Sequence, residues 1–139
     1  MNATTTSRGV TFLRPTTDEK HEQANIKELV AHLGGQVYTL GTRRAQYCGH
    51  CGSTNTDQGT RQTEGLGDLA IYLPPSPRQV RANPDAPWTF LWVECKGKGG
   101  TLTPEQVAFR YFNQRAGVVS LVGGFDAVRA WLTLGGWVR

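Results

Sequence analysis

Two acidic residues and one lysine in the middle of the chain are spaced in a way that suits metal-dependent hydrolysis. Asp68 begins one strand-like segment, and Glu94 and Lys96 end the next such segment. If the two segments pair as antiparallel strands, the start of the first lies beside the end of the second, which brings Asp68 next to Glu94. Side chains alternate along a strand, so Glu94 and Lys96 share one face while Cys95 points to the other. We therefore expect two carboxylates and one ammonium to converge at one edge of a sheet.

This arrangement predicts a bound divalent cation. Two neighbouring carboxylates repel each other unless a cation lies between them. Their hard oxygens suit Mg²⁺, with Mn²⁺ as a substitute, and the backbone carbonyl of Cys95 is available as a third ligand. Such an ion can polarise a phosphate oxygen and lower the pKa of a bound water, and Lys96 is placed to orient that water or to offset charge on the phosphate. Taken singly, these residues are more typical of a turn and of an exposed cross-strand pair, but charges that end an apolar central strand favour the metal site.

Two further residues are candidates for the same site. Glu22 precedes Ile26, Leu29 and Leu33 on one helical stripe, so its carboxylate could reach the ion through water, although a solvated acid at a helix end is also common. Gln106 follows Thr103-Pro104-Glu105, which are strong helix-start signals. Its amide can cap the start of that helix, and both the capping and the catalytic interpretations stay open.

Hydrophobic periodicity predicts the elements that must position these residues. Thr16 and Glu19 resemble a capping box that starts the first helix, and five prolines between 74 and 87 predict no regular structure there. In the helix that Thr103 opens, the predicted apolar face consists of Val107, Ala108, Tyr111 and Phe112. The predicted helices cover about 16–33, 103–116 and 125–132, and the predicted strands cover 36–40, 69–73, 88–96 and 118–122. This order predicts an α/β fold with a central mixed β-sheet flanked by helices.

Length and composition predict one globular domain. The 139 residues include 38% hydrophobic and 19% charged residues, which excludes a membrane protein and a disordered chain. We expect a flexible tail at 1–15, a domain at 16–139 and a long loop at about 41–66. No apolar segment suits a signal peptide, so we expect a cytoplasmic protein. The net charge of +4 permits a polyanionic partner without demanding one.

The long loop and the basic residues carry weaker signals. Cys48, His50 and Cys51 could bind zinc, but structural zinc usually has four ligands and no second pair follows, so a mobile loop is favoured. Candidate phosphate contacts are the basic side chains near the site and in the loop, of which Lys98 in the glycine-rich turn is the strongest: Lys98, Arg43, Arg44, Arg61, Arg110 and Arg115.

The order of these motifs resembles the VRR-NUC domain of the PD-(D/E)xK nucleases, over nearly the whole chain. The likeness is carried by Gly67-Asp68, by Glu94-Cys95-Lys96 with its glycine-rich turn, by Leu102-Thr103-Pro104-Glu105-Gln106, by Gly117-Val118-Val119 and by Phe125-Asp126-Ala127-Val128. The resemblance implies a restriction-endonuclease-like core and a Mg²⁺-dependent endonuclease that cuts branched DNA, leaving 5′-phosphate and 3′-hydroxyl ends. Stand-alone members are similar to small homodimeric Holliday-junction resolvases of bacteria and phages.

Carried over to this sequence, the resemblance implies that Asp68 and Glu94 bind the metal and that Lys96 assists the attacking water. Gln106 would be the polar residue on the following helix and Glu22 the acid of the first helix. Two features depart from the family pattern: Gly67 replaces the usual proline, and the segment from Gly41 to Gly65 is not expected. The alternatives are a flap or nicking nuclease, a nuclease that acts on RNA, and a nucleic-acid-binding module without catalysis.

Overall fold

A computed structural model of the chain describes residues 3–5, 11–13, 17–40, 46–47, 50, 54–55 and 66–139. The elements are, in chain order, β1 (Ala3–Thr5), β2 (Thr11–Leu13), α1 (Glu19–His32), β3 (Gln36–Thr39), β4 (Gln46–Tyr47), β5 (Thr54–Asn55), β6 (Leu69–Leu73), α2 (Pro77–Ala82), β7 (Thr89–Cys95), α3 (Pro104–Arg115), β8 (Val119–Gly123) and α4 (Phe125–Gly135). Among the described helices, none is both long enough and apolar enough to cross a bilayer.

A four-stranded mixed sheet organises the domain, with strand order β3-β6-β7-β8. β3, β6 and β7 pair antiparallel, whereas β8 joins β7 in parallel after the crossover through α3. This confirms the predicted α/β class with a central mixed sheet flanked by helices. Two short antiparallel pairs lie outside it: β1 with β2, inside the predicted tail, and β4 with β5, inside the predicted loop. The flexibility of both segments stays a prediction.

One face of the sheet forms the hydrophobic core. Alternate residues of β6 and β7 point to this face, and α1 and α4 cover it because their apolar stripes recur at helical spacing. The fully buried side chains are Leu69, Ile71 and Leu73 of β6, Leu91, Val93 and Cys95 of β7, Ile26 and Val30 of α1, and Val128 and Leu132 of α4. The opposite side chains of β6 and β7 are therefore free to form a site.

The second face of the sheet is covered in part by α3, and the predicted apolar face of this helix was wrong. Val107, Ala108, Tyr111 and Phe112 are exposed. Phe109 instead packs on Trp92 of β7, with ring centroids 5.2 Å apart. The helix is rotated in this way because Gln106, one turn before Phe109, bonds to Glu94 on the same strand. The contacts to the sheet, and not the longest apolar run, fix the orientation of α3.

Local capping corrects two predictions, the start of α1 and the absence of regular structure after β6. α1 begins at Glu19, and Asp18 caps it, because its carboxylate accepts a hydrogen bond from the backbone N–H of His21 at 2.8 Å. The predicted cap, Thr16, lies outside the described residues. The proline-rich connection after β6 contains α2, which was not predicted. Ser76 and Gln79 form a capping box around Pro77 at the first helical position, where a proline starts a helix more readily than it breaks one.

The first turn of α1 rests on the turn that follows β7. The backbone N–H of Lys98 donates to the Thr17 carbonyl at 3.0 Å. A Cβ atom added to Gly97 would lie 2.5 Å from the backbone nitrogen of Glu19 and 3.0 Å from the carbonyl carbon of Asp18. Only glycine permits this approach of the two backbones. The turn therefore sets the distance between the start of α1 and the end of β7.

Replacement of Gly97 tests this contact. Gly97→Ala should lower the free energy of unfolding by about 2–3 kcal/mol, because the added methyl group collides with backbone atoms that cannot rotate away. Urea denaturation measures the change. Gly99→Ala is the matched control: nothing lies within 4 Å of its added Cβ, and only its φ of +77° is unfavourable, so it should cost about 1 kcal/mol. Equal losses for the two variants would show that the backbones are not in tight contact.

Candidate active site

The antiparallel register of β6 and β7 brings the two predicted acids together. Leu69 lies opposite Val93 in this pairing, so Asp68 and Glu94 occupy the next opposing position on the second sheet face. Asp68 is held from both sides of its strand. Its carboxylate Oδ2 accepts from the backbone N–H of Cys95 at 2.8 Å, and its carbonyl accepts from the backbone N–H of Leu40 at 2.8 Å.

Glu94 is the buried centre of the cluster, with only 5% of its surface exposed. Its Oε1 lies 3.2 Å from the Lys96 ammonium and accepts from the Gln106 amide nitrogen at 2.5 Å. Its Oε2 is also buried and has no hydrogen-bond partner within the described part of the chain. A buried carboxylate oxygen without a partner is energetically costly, so this atom faces a position where a cation or a donor belongs.

The pKa values of Asp68 and Glu94 also indicate that a cation or a proton belongs between the two carboxyl groups. Burial, followed by the negative charge of Asp68, raises the pKa of Glu94 to about 7, against the opposing effect of Lys96. Burial also raises the pKa of Asp68, although the Cys95 N–H, Glu94 and Lys96 oppose that shift. The two carboxyl groups are close enough to share a proton. In the absence of a cation, the site therefore favours one bound proton at a position where two charges would repel.

Gln106 caps its helix, as one of its two interpretations predicted, and its side chain also contacts the acid pair. Its side-chain oxygen accepts from the backbone N–H of Thr103 at 2.9 Å, which completes a capping box at the start of α3. Because the oxygen is engaged there, the amide nitrogen is turned towards Glu94 and donates to Oε1. Helix capping thus fixes the direction of the donor that holds the carboxylate.

The side chain of Glu22, a residue of α1, contacts the start of α4. It is 5% exposed, and its Oε2 accepts from the backbone N–H of Phe125 at 3.0 Å. The residue before α4 is Gly124, which has no side chain to cap the helix, and a Cβ there would lie 2.7–3.0 Å from the Glu22 carboxyl group. Glu22 therefore acts as a cap supplied by another helix, and its negative charge also suits a helix N-terminus.

Glu19, which the sequence analysis assigned only to a capping box, interacts with Asp68 and Lys96. Burial and then the charge of Asp68 raise its pKa, and Lys96 lowers it. Glu19 also lines a cleft of about 480 Å³ between the start of α1 and the glycine-rich turn, whose other lining residues are Thr17, Asp18, Gly97, Lys98 and Gly100. The contact between Gly97 and α1 is the signal that places it there, and this contact cannot be read from spacing.

The remaining candidate residues fall into three groups. The Cys95 thiol is buried in the core, where burial and the surrounding acids raise its pKa, so only its backbone belongs to the site edge. Lys98 is exposed on the glycine-rich turn beside the site. Arg110 lines a separate cleft of about 530 Å³ beside α3 and β8, and Arg115 is exposed at the end of α3. Arg43, Arg44, Arg61, Cys48 and Cys51 lie outside the described residues, so neither the zinc hypothesis nor these phosphate contacts are tested.

The donor set fits a hard divalent cation held by few protein ligands. In the ranges that the structure describes, no group of three or more His, Cys, Asp or Glu side chains is arranged as a metal site. The acid pair and its partnerless oxygen remain, and Mg²⁺ is commonly bound through one or two carboxylates together with waters and substrate phosphates. The Asp68–Glu94 pair therefore suits Mg²⁺ or Mn²⁺ better than zinc.

Comparison with known proteins defines the class of the fold. A solved structure described as a VRR_NUC domain resembles this chain with a TM-score of 0.51 and 24% sequence identity, over 85% of this chain and 97% of that chain. No family model and no curated protein matches the sequence. The chain therefore has an α/β fold with a central mixed sheet. Within that class it has the fold of a VRR_NUC domain, which confirms, at the level of the fold, the resemblance that its motifs predicted.

The pKa of Glu94 predicts how stability depends on pH in the absence of metal. Its pKa rises from 4.5 to about 7 on folding, so the folded state binds the proton more tightly than the unfolded chain does. The contribution of this group should be complete below about pH 4.5, and stability should fall by roughly 2 kcal/mol as the pH rises from 5 through 7 to 8. Thermal unfolding in a chelator measures this slope. Glu94→Gln should remove most of it, and a flat profile for the unmodified protein would contradict the arrangement.

Substitution of Glu22 distinguishes a helix cap from a metal ligand. Glu22→Ala should lower the free energy of unfolding by about 2 kcal/mol, since a buried helix start loses its acceptor. Glu22→Gln keeps an oxygen for the Phe125 N–H and should cost less than about 1 kcal/mol. Glu28→Ala, on the exposed side of the same helix, is the control and should be nearly neutral. Equal losses for Glu22→Ala and Glu28→Ala, measured in urea, would refute the cap.

Proposed function

We propose that this chain is a metal-dependent nuclease of the VRR-NUC type, which hydrolyses phosphodiester bonds in DNA. The observation that supports it most strongly is the buried pair of Asp68 and Glu94, with one carboxylate oxygen lacking a partner and the Lys96 ammonium 3.2 Å from the other. Two acids and a lysine at the end of a central strand match the residues that the VRR-NUC resemblance assigns to metal binding and catalysis. The VRR_NUC fold supports the same assignment.

The residues of the site divide into metal ligands and a catalytic lysine in this proposal. Asp68 and Glu94 would hold Mg²⁺, with Mn²⁺ as a substitute, and the Cys95 carbonyl would be a third ligand. The bound ion would polarise a phosphate oxygen and activate the attacking water as a Lewis acid. Lys96 would orient that water and offset the charge that develops on the phosphate. The products would carry 5′-phosphate and 3′-hydroxyl ends.

Three neighbouring residues support this centre in different ways. Gln106 positions Glu94 through its oriented amide. Lys98, on the turn that follows the site, would contact a substrate phosphate. Glu19, and not Glu22, would be the acid of the first helix that faces the ion, because the Glu22 carboxylate already bonds to the start of α4.

The preferred substrate in this proposal is branched DNA, including four-way junctions. A homodimer would present one site to each of two strands in a junction, which suits the two-fold symmetry common among oligomers. The net charge of +4 is compatible with a nucleic-acid partner. The proposal places the protein in the cytoplasm of a bacterium or of a phage-infected cell, in keeping with the stand-alone proteins that it resembles.

A cleavage panel tests the proposed activity. Four-way junction, flap, linear duplex and RNA substrates would be incubated with Mg²⁺, Mn²⁺, Ca²⁺ or a chelator and separated on denaturing gels. Branched DNA should be cut with Mg²⁺ and Mn²⁺ but not in the chelator. Glu94→Gln and Lys96→Ala should each lower the rate at least about 100-fold, because each removes a charge that acts on the transition state.

The control variant is Glu105→Gln, which changes an exposed acid next to Gln106 and should leave cleavage unchanged. Circular dichroism and thermal unfolding would show that the variants remain folded. Cleavage in the chelator, or full activity in Glu94→Gln, would contradict the metal-dependent mechanism. DNA binding without product from any substrate would identify a binding module instead.

A further inference from the structure

Aromatic side chains occupy the same sheet face as the paired acids. Positions of equal parity on a strand share a face, so Tyr72 of β6 lies with Asp68, and Phe90 and Trp92 of β7 lie with Glu94. Tyr38 of β3 pairs with Ala70, which places it on this face as well. The aromatic rings and the acids thus share one face of the sheet.

The register arranges these rings around a small residue. Ala70 lies between Tyr38 on one neighbouring strand and Trp92 on the other, and Tyr72 follows it along β6. On its remaining side, two residues along the strand, lies Asp68. We call this group, Tyr38, Tyr72, Phe90 and Trp92 around Ala70, the aromatic recess. On this face, the acid pair is the next opposing pair along β6 and β7 from Ala70 and Trp92.

The rings contact one another but remain open to solvent. Ring centroids are 6.0 Å apart for Tyr38 and Tyr72, 5.0 Å for Tyr72 and Phe90, and 5.4 Å for Phe90 and Trp92. Phe109 of α3 covers the Trp92 end. At the other end, Tyr38 is 57% and Tyr72 42% exposed. Cross-strand packing explains the direct pair of Tyr72 and Phe90, but it gives no reason for two large rings to stay exposed beside a charged site.

We infer that the aromatic recess binds unpaired bases of a single DNA strand whose neighbouring phosphate lies at the acid pair. This inference rests on the proposed nuclease function and names the feature of the substrate that the site would select. An unpaired base offers its face for stacking, whereas a base inside a duplex already stacks on its neighbours. The recess would therefore favour strands that leave a duplex at a branch.

Charge and distance support a nucleic-acid occupant over an apolar one. The recess opens onto a site edge with Lys96, and Lys98 follows on the exposed turn, while the chain carries a net charge of +4. Asp68 and Ala70 are separated by two residues, or about 7 Å along a strand, which is close to the length of one extended nucleotide. A divalent cation held by the acid pair, together with Lys98 on the neighbouring turn, would attract a phosphate to this end of the recess, and the exposed rings would receive the adjacent base.

Binding to base-bearing and abasic DNA tests the inference directly. Fluorescence anisotropy would compare a single-stranded thymidine oligonucleotide with an abasic strand of equal length in Ca²⁺, using the full chain. The unmodified protein should bind the thymidine strand about tenfold or more tightly, because stacking requires the base and not the phosphate. Tyr38→Leu and Tyr72→Leu should remove most of that difference, whereas Tyr38→Phe, which keeps the ring, should retain it.

The matched control is Tyr111→Leu, which removes an aromatic ring of similar exposure from the outer side of α3 and should leave the difference intact. Equal affinity for the two strands would overturn the inference. It would also be overturned if Tyr38→Leu or Tyr72→Leu turned a dimer into a monomer in light scattering, because the surface would then belong to a second copy. The binding assay needs no cleavage. Base-dependent binding without any product would therefore support base binding by the recess and contradict the proposed nuclease activity. Equal cleavage of branched DNA with normal and with abasic arms would support the nuclease activity and contradict base binding by the recess.

Discussion

The carboxyl groups of Asp68 and Glu94 are held side by side, and the repulsion between their charges is the main constraint on this edge of the sheet. Asp68 and Glu94 oppose each other across β6 and β7, and a backbone N–H and a glutamine amide tie them down so that neither side chain can turn away. Burial, and then the negative charge of Asp68, raises the pKa of Glu94 to about 7, so without a cation the pair favours one bound proton. A buried acid pair with one carboxylate oxygen lacking a partner costs stability when no ligand is bound, and this cost is the observation behind the proposed metal site.

Glu19 and Glu22 lie one turn apart on α1 but have different surroundings, because they lie next to the starts of two different helices. α4 begins after a glycine, so its first N–H groups have no local acceptor, and Glu22 supplies one from α1. Glu19 lies at the start of α1, where the close approach of Gly97 brings it towards Asp68. The Glu22 carboxylate thus bonds to the start of α4, whereas the Glu19 carboxylate lies near Asp68. The close approaches of Gly97 to Glu19 and of Gly124 to Glu22 thus give the two acids their different surroundings.

The sequence predicted the elements whose signals are local and missed the features that depend on packing. The bounds of β6 and the start of α3 were correct, because an apolar run and a capping box state them directly. Asp68 and Glu94 were brought together by a simple hairpin argument. The orientation of α3 was wrong, because its exposed residues form the stronger apolar stripe and only the contacts of Gln106 and Phe109 fix its rotation. The hydrogen bond of Glu22 to the start of α4 could not be predicted either, since its partner is a backbone N–H far along the chain.

The alternation of β7 explains how the core fixes the site. Leu91, Val93 and Cys95 are fully buried on one face, so the residues between them must point to the other. A slip of one residue would bury Glu94 among leucine and valine side chains and expose Val93, at a cost far above the repulsion between two partly neutralised carboxylates. That repulsion therefore cannot shift the strand out of register. The aromatic rings obey the same constraint, since Phe90 and Trp92 precede Glu94 on the same face. Hydrophobic burial on one side of the sheet thus sets both the spacing of the acids and the distance from them to the aromatic recess.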